Sequence, residues 1–390
     1  MSGQNCPITG KSNTDFICKF DNSIASDKNL VNSPVENRLS KESGLIFNSS
    51  GARGKEMAFY MDQYDLRSEH VATELMYFDQ GKAKGFYDNM LEFITSSVKL
   101  PAKGKVLEVG CGKGLLLRRF ANKFPDWDIF AVEPSKNANA FFKEVMPKVN
   151  CFEGTFENSP YHGKQFDLVM ATGVLEHIPN PVDFLRLFRN CIADNGYGYI
   201  GVPNFETNPS DLFTFDHLSR FTPDTITALF SLAGFTVVNK WALSTRVPMW
   251  YVIKKADPNS LQSVSAELIA KSQALATSSL QFIQNTFASY NKCVEESKPG
   301  DKIGVFGLGT IGFFGTRQSK LTKDKISFFY DDNSTFWGKE QMGITVHDPS
   351  LIVADGVNRI VVSANPCYLD SISERINKII AGHNIKLYLP

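Results

Sequence analysis

The 390-residue sequence reads as an α/β chain built on a doubly wound, mainly parallel sheet, with a second, smaller α/β unit behind it. Three observations predict this. Short apolar runs at 105–109, 128–132, 149–152, 166–171 and 196–202 alternate with helical stretches, the pattern of strands covered by helices on both faces. Two further runs, at 235–242 and 248–254, close the series as an antiparallel hairpin. A glycine-rich turn then opens a new strand–helix series at 302–315.

Residues 1–50 are polar and irregular in pattern, and 51–100 form a helical lead-in rich in aromatics, including Tyr60 and Tyr64. The core opens near Lys103. Its first motif is V-L-E-V-G-C-G-K-G at 106–114. Val106, Leu107 and Val109 fit a buried parallel strand. Gly110, Gly112 and Gly114 have no Cβ to keep a ligand from the backbone, and they lead into a helix at 115–123. The second strand ends at Glu133, where a carboxylate can accept two ribose hydroxyl hydrogen bonds. Strand, glycine loop, helix, strand and acid make a nucleoside-binding half-fold. Further along, Gly196 allows a bend, and Thr222 followed by Pro223 is an N-cap with proline at N1. Residues 260–297 contain no Pro or Gly and read as a long helix leaving the core, stopped at Pro299-Gly300.

Composition narrows the class. Lys plus Arg and Asp plus Glu both number 41, so there is no electrostatic footprint for nucleic acid or an anionic membrane. No run approaches the ~20 apolar residues of a membrane span. The seven cysteines are dispersed, as expected of reduced thiols in the cytoplasm. The length suits two or three domains.

The glycine spacing decides between nucleosides. A dinucleotide fingerprint is G-x-G-x-x-G, whereas 110–114 is G-x-G-x-G with Glu108 two residues before it. This resembles motif I of the class I S-adenosylmethionine (SAM) methyltransferases. The stretches F-D-L-V-M-A-T-G-V-L-E-H-I-P-N-P at 166–181 and I-A-D-N-G-Y-G-Y-I-G-V-P-N at 192–204 resemble that family's fourth and fifth strands with their turns. The resemblance implies a seven-stranded Rossmann-like core over 101–256 with SAM as cofactor. It implies that Glu108 acts on the methionine ammonium group, that Glu133 holds the ribose, and that Gly110, Cys111, Gly112 and Pro134 border the cofactor. Thr155 and Phe156 would sit beside the adenine, and Ala171 and Thr172 under the methyl donor.

The whole layout is similar to the three-part sugar C-methyltransferases, which have an N-terminal zinc ribbon, a SAM core and a C-terminal Rossmann-like domain that helps hold a nucleotide sugar. On this pattern 1–50 is the ribbon, 257–299 a connecting helix and 300–390 the C-terminal domain. The acceptor would be a small molecule, plausibly nucleotide-linked, and a homodimer is compatible with the sequence. Two departures are visible. The ribbon's two C-x-x-C pairs read C-P-I-T at 6–9 and S-K-E-S at 40–43, so a remnant without zinc is expected, and no metal ligands are assigned. The family's Tyr and His-Glu-His element reads F-T-F-D-H at 213–217. There His217 matches the family's general base, while Thr214 stands at the tyrosine, leaving C-, O- and N-methylation open. His177, beside Glu176 after the fourth strand, is the second candidate catalytic group.

The C-terminal loop G-L-G-T-I-G at 307–312 does fit G-x-G-x-x-G, and the following strand ends in Asp331-Asp332. The unit spans only about ninety residues, short for two mononucleotide halves. Gly307 and Gly309 are therefore candidates for contact with a nucleotide-bearing substrate. Two alternatives stand beside the methyltransferase reading: a non-catalytic SAM-fold binding protein, and an NAD-dependent oxidoreductase using the 307–312 loop.

Overall fold

Seven strands make the central sheet: β1 (Lys105–Val109), β2 (Asp128–Glu133), β3 (Asn150–Glu153), β4 (Phe166–Thr172), β5 (Ile192–Pro203), β6 (Phe235–Ala242) and β7 (Pro248–Lys255). Their order is β3-β2-β1-β4-β5-β7-β6, parallel up to β5 and antiparallel in the β5–β7–β6 edge. The computed structural model describes residues 5–50, 76–79, 82–259 and 265–390. β1 lies in the middle because its side chains are apolar on both faces. Val106 packs with the helices α1 (Phe86–Ser97) and α2 (Leu115–Lys123), whereas Leu107 and Val109 join the opposite core with Phe184, Phe188 and Leu229. Fully burying one such Val or Leu contributes about 1.5–3 kcal/mol. Helices α3 (Lys136–Val145), α4 (Pro181–Cys191) and α5 (Pro223–Leu232) complete the layers. α5 starts as its sequence predicts: Thr222 and Thr225 form a reciprocal capping box with Pro223 in the first turn.

The N-terminal fifty residues differ from the irregular segment expected. Thr14–Phe20, Val35–Ser40 and Ile46–Asn48 form an antiparallel sheet whose fourth strand, Ser219–Arg220, comes from the core. Its interior includes Ile24, Val35, Leu45 and Phe47, all fully buried. Polar composition hid this because strands this short alternate apolar with polar residues. The two turns at 6–10 and 40–44 lie side by side. Cys6 Sγ lies 3.3 Å from Ser43 Oγ, and Gly10 and Gly44 close the turns at φ +69°. Backbone N–H groups of Lys11, Ser43 and Leu45 donate to the hydroxyls of Thr9, Ser40 and Ser43. One thiol and three hydroxyls do not fit the soft donor set of structural zinc.

The long helix is α6 (Ala266–Glu295), capped by Ser265, whose side chain accepts the N–H of Leu268. It does not leave the core but packs across the N-terminal strands and the C-terminal unit. Its buried stripe is Ser272, Ala276, Ser279, Ile283, Thr286, Tyr290 and Cys293, mostly small residues at alternating spacings of four and three. Small side chains permit close approach. A Cβ on Gly44 would meet Leu268 Cγ at 3.2 Å, and one on Gly315 would meet Tyr290 Cε2 at 2.5 Å.

The C-terminal sheet contains β8 (Ile303–Phe306), β9 (Ile326–Tyr330), β10 (Glu340–Gln341), β11 (Ile344–His347), β12 (Arg359–Val362) and β13 (Lys386–Tyr388) in the order β10-β11-β9-β8-β12-β13. β10 and β11 are too short to stand out from the turn residues around them. Helices α7 (Thr310–Gln318) and α8 (Pro366–Ile379) flank the sheet.

Candidate active site

The carboxyl ends of β1, β2 and β4 open onto a cavity of about 1160 Å³. This is the edge where open α/β sheets bind ligands. Gly110, Cys111 and Gly112 form one wall, with Gly110 and Gly112 at φ +69° and +53°. At Gly110 a Cβ would lie 2.4 Å from Val174 Cγ2, so the loop admits only glycine there. The loop is pinned from below by Val132 O, which accepts the N–H of Gly110 at 2.8 Å. Glu133 holds it from the side. Its Oε2 accepts the N–H of Gly112 at 2.7 Å and its Oε1 that of Ser135 at 2.8 Å. Burial pushes the Glu133 carboxyl up, and those two N–H bonds oppose the shift. Each oxygen keeps further lone-pair capacity, and Glu133 lines the cavity.

Glu108 is 3% exposed, and its Oε2 has no hydrogen-bond partner among the described residues. Burial, reinforced by the nearby Glu133 charge, pushes its carboxyl up to about 8. A buried carboxylate oxygen facing a cavity is a site for a cationic donor. Thr172 Oγ1 and Trp250 Nε1, which also line this space, are likewise buried without a partner among the described residues. Pro134, Thr155 and Phe156 line the cavity, with the Phe156 ring edge-on to Phe184 at 5.5 Å. Ala171 is buried in β4 behind Thr172. Tyr60 and Tyr64 lie outside the described residues.

The two candidate histidines, forty residues apart in sequence, meet edge to face at 4.8 Å. Because a carbonyl can only accept, the 2.8 Å contact of His177 Nδ1 with Asp216 O fixes the proton on Nδ1. His217 Nδ1 pairs with Asp211 Oδ1 at 2.9 Å. Burial holds His177 down at about 4. Burial also pulls on His217, but the Asp211 charge and hydrogen bond, helped by Asp216 and Glu176, carry it up to about 9. Burial raises Glu176 to about 7 against the pull of His217. His177 and Glu176 line the cavity, whereas His217 stands just behind them.

The segment carrying His217 is held largely by the N-terminal sheet, a connection the sequence did not signal. Ser26 donates its N–H and its hydroxyl to the Asp216 carboxylate at 2.8 and 2.5 Å. Asn37 and Asn48 side chains donate to Leu212 O and Phe215 O. Leu218 N donates to Glu176 O at 2.7 Å, which ties this segment to the turn after β4.

The far wall belongs to the C-terminal unit, through Leu308, Gly309, Asp331, Asn333 and Tyr368. Asp331 repeats the arrangement at Glu133: its Oδ2 accepts the N–H of Leu308 at 3.0 Å and its Oδ1 that of Asn333 at 2.8 Å. Gly309 faces the cavity. Gly307, at φ +100°, sits behind it, where a Cβ would lie 2.3 Å from Ser363 O. Lys28 of the N-terminal segment reaches the same loop and donates to Leu308 O at 3.1 Å. Lys28, Arg246 and Tyr368 also line the cavity, and no local motif in the sequence marks them.

Residues 82–240 match the family described as methyltransferase domain. This stretch is a class I SAM-dependent methyltransferase domain. Among curated proteins, the chain is similar to the ubiquinone biosynthesis O-methyltransferase of Rickettsia canadensis (strain McKiel), 29% identical over 119 residues, 30% of this chain and 49% of that protein. It is similar to the protein of the same name from Azorhizobium caulinodans, 31% identical over 109 residues, 27% of this chain and 42% of that protein. The chain thus spans about half the length of the curated relatives it matches. Among solved structures, an S-adenosylmethionine-dependent methyltransferase from Clostridium acetobutylicum ATCC 824 aligns with a TM-score of 0.38 at 12% identity, covering 44% of this chain and 91% of that one. The methyltransferase domain includes the glycine loop, Glu133, His177 and His217, while the C-terminal wall of the cavity lies outside it. The buried Glu108 oxygen and the glycine-only loop fit the methyl donor of this family. No helix among the described residues is long and apolar enough to cross a membrane.

Proposed function

We propose that the chain is a SAM-dependent methyltransferase whose acceptor is a small molecule carrying a nucleotide, in the manner of the sugar methyltransferases. The observation that supports this best is the single cavity joining two acid-pinned glycine loops, one at Glu133 and one at Asp331, with His177 also on its wall. Small-ligand sites commonly occupy ~300–1,000 Å³, and about 1160 Å³ leaves room for a donor and an acceptor together.

Glu108 takes the donor's ammonium group, Glu133 its ribose hydroxyls, and the 110–112 backbone the stretch between them. Thr155 and Phe156 border the adenine, with Pro134 and Cys111 at the sides and Ala171 and Thr172 beneath the sulfur. The bound donor supplies an electrophilic methyl group on a sulfonium. The chain's own task is then to align the acceptor with that methyl and remove its proton. His217 is the proton acceptor once its own proton is lost; the Asp211 carboxylate helps to hold that proton on up to about pH 9, so turnover should rise with pH toward that value. His177, held neutral, orients the acceptor. Gly309, with Gly307 shaping the turn behind it, and Asp331 hold the nucleotide end.

Calorimetric titration with S-adenosylhomocysteine tests the donor site. Tight binding is expected to fall at least ~10-fold in Glu133→Ala, which loses the ribose contacts and leaves two backbone donors unmatched. Unchanged binding in that variant would remove the assignment. Transfer of a labelled methyl group to nucleotide-linked sugars but not to the corresponding free sugars tests the acceptor class. Full turnover by His217→Ala would remove the base.

A further inference from the structure

Three side chains beside the acceptor space present the donor set of a metal centre. One ligating atom from each of Glu176, His177 and His217 lies within 4.8 Å of the other two. The set is two imidazoles and one carboxylate, which with open positions suits first-row divalent cations. Its supports are also those of a metal centre. Ligating histidines usually donate their other ring N–H to a carbonyl or a carboxylate. Here His177 Nδ1 donates to Asp216 O at 2.8 Å and His217 Nδ1 meets Asp211 Oδ1 at 2.9 Å, so on each ring Nε2 is the atom left to coordinate a cation, with release of any proton it carries. His177 Nε2 lies 4.0 Å from Glu176 Oε1. Glu176 is 3% exposed, and its Oε2 has no hydrogen-bond partner among the described residues. Asp211 is in turn oriented by Asn208, which donates to Oδ1 at 2.8 Å.

We infer that Glu176, His177 and His217 form a site for a divalent transition-metal cation, with Asp211 and the Asp216 carbonyl orienting the two imidazoles. Ligand atoms ~2.1 Å from a cation are about 3.0–3.4 Å from one another, so the widest spacing must close by about 1.5 Å. Glu176 and His177 line the cavity, so the open coordination positions face it and take an oxygen of the acceptor. This last step rests on the function proposed above; the metal site does not. With a cation bound, His217 is a ligand and no longer takes the proton; coordination instead lowers the pKa of the acceptor hydroxyl, whose proton is released to solvent.

Titration of the full chain with Co²⁺ alone, followed by visible absorption and by metal analysis after gel filtration, tests the site. One Co²⁺ per chain with ligand-field bands of nitrogen–oxygen coordination is expected. Glu176→Gln, nearly isosteric, should lose most of this binding. Asp211→Asn, which alters only the orienting shell, should weaken it ~10–100-fold. His217→Ala should abolish it. No Co²⁺ retained by the wild-type chain, or equal retention by Glu176→Gln and wild type, would overturn the inference. A sulfur-to-cobalt charge-transfer band lost in Cys6→Ser would also overturn it, by placing the metal on the N-terminal turns. If methyl transfer proceeds in chelated protein that binds no Co²⁺, the proposed function stands and the metal site falls. If Co²⁺ binds as expected and no methyl is transferred, the reverse holds.

Discussion

Replacing Glu108 by Gln should separate two quantities that most active-site substitutions change together. The carboxyl is buried, its Oε2 is unmatched among the described residues, and desolvation lifts its pKa to about 8. In the ligand-free protein at pH 7 the group is therefore mostly protonated. Ionising it there to meet an ammonium group costs about 1.4 kcal/mol, the equivalent of one pKa unit. A hydrogen bond to a charged partner returns about 1.5–3 kcal/mol. Wild-type affinity for S-adenosylhomocysteine, which carries the same ammonium group, should thus rise close to tenfold per pH unit from about pH 6 and level off near 8. Binding should release a proton, visible in calorimetry as an enthalpy that depends on the buffer. The Gln variant should bind ~10–100-fold more weakly at pH 8, with a flat pH profile and no proton release. Stability moves the other way. A carboxyl whose folded pKa lies above its unfolded value contributes most below pH ~4.5 and loses that contribution as pH rises toward 8. Glutamine, which never ionises, should match or exceed wild-type stability at pH 8 by urea denaturation. Equal pH slopes in the two proteins would refute the role of Glu108, as would a variant that is both weaker in binding and markedly less stable.

Three further perturbations follow from the geometry. Gly110→Ala places a methyl 2.4 Å from Val174 Cγ2 at φ +69°; affinity should fall more than ~10-fold with ~1–2 kcal/mol of backbone strain. Adding Val174→Ala should recover only the steric part, as read by calorimetry. Converting Thr9, Ser40 and Ser43 together to Cys supplies four thiols on turns already adjacent at Cys6 and Ser43, so the triple variant should take up one zinc that the wild-type turns do not hold, measured by metal analysis. Arg220 is fully buried, donates to Thr214 O, and is pulled down to about 10 by burial against the charges of Asp211 and Asp216. Arg220→Met should cost ~3–5 kcal/mol by leaving those carboxylates without their counter-charge, and unchanged urea stability would show that Arg220 does not balance them.

Much of the proposed donor half of the site is local in sequence. Gly110, Gly112, Glu108 and Glu133 lie within one strand–loop–helix–strand unit, and such a unit fixes its own geometry through consecutive residues. The same holds for the Thr222 cap and for the glycine turn at 307. The parts that escaped are those set by contacts between distant segments. The N-terminal sheet looked irregular because its last strand, Ser219–Arg220, is supplied from the methyltransferase domain. The helix α6 was expected to leave the core, whereas its close contacts through Ser272, Ala276 and Ser279 seat it against the N-terminal and C-terminal units, which its own sequence does not signal.

The class of cofactor is legible in residues 108–133 alone, since the spacing of three glycines and two acids is a local property. The sequence also named both histidines singly. Tertiary structure alone brought His177 against His217 and fixed the proton position on the His177 ring through the carbonyl of Asp216. It also faced the Asp331 loop toward the Glu133 loop across one cavity. Those relations depend on pairing and packing between segments forty to two hundred residues apart. Loop closure over such distances is directed by the completed sheets and by α6, and no short stretch of sequence encodes it.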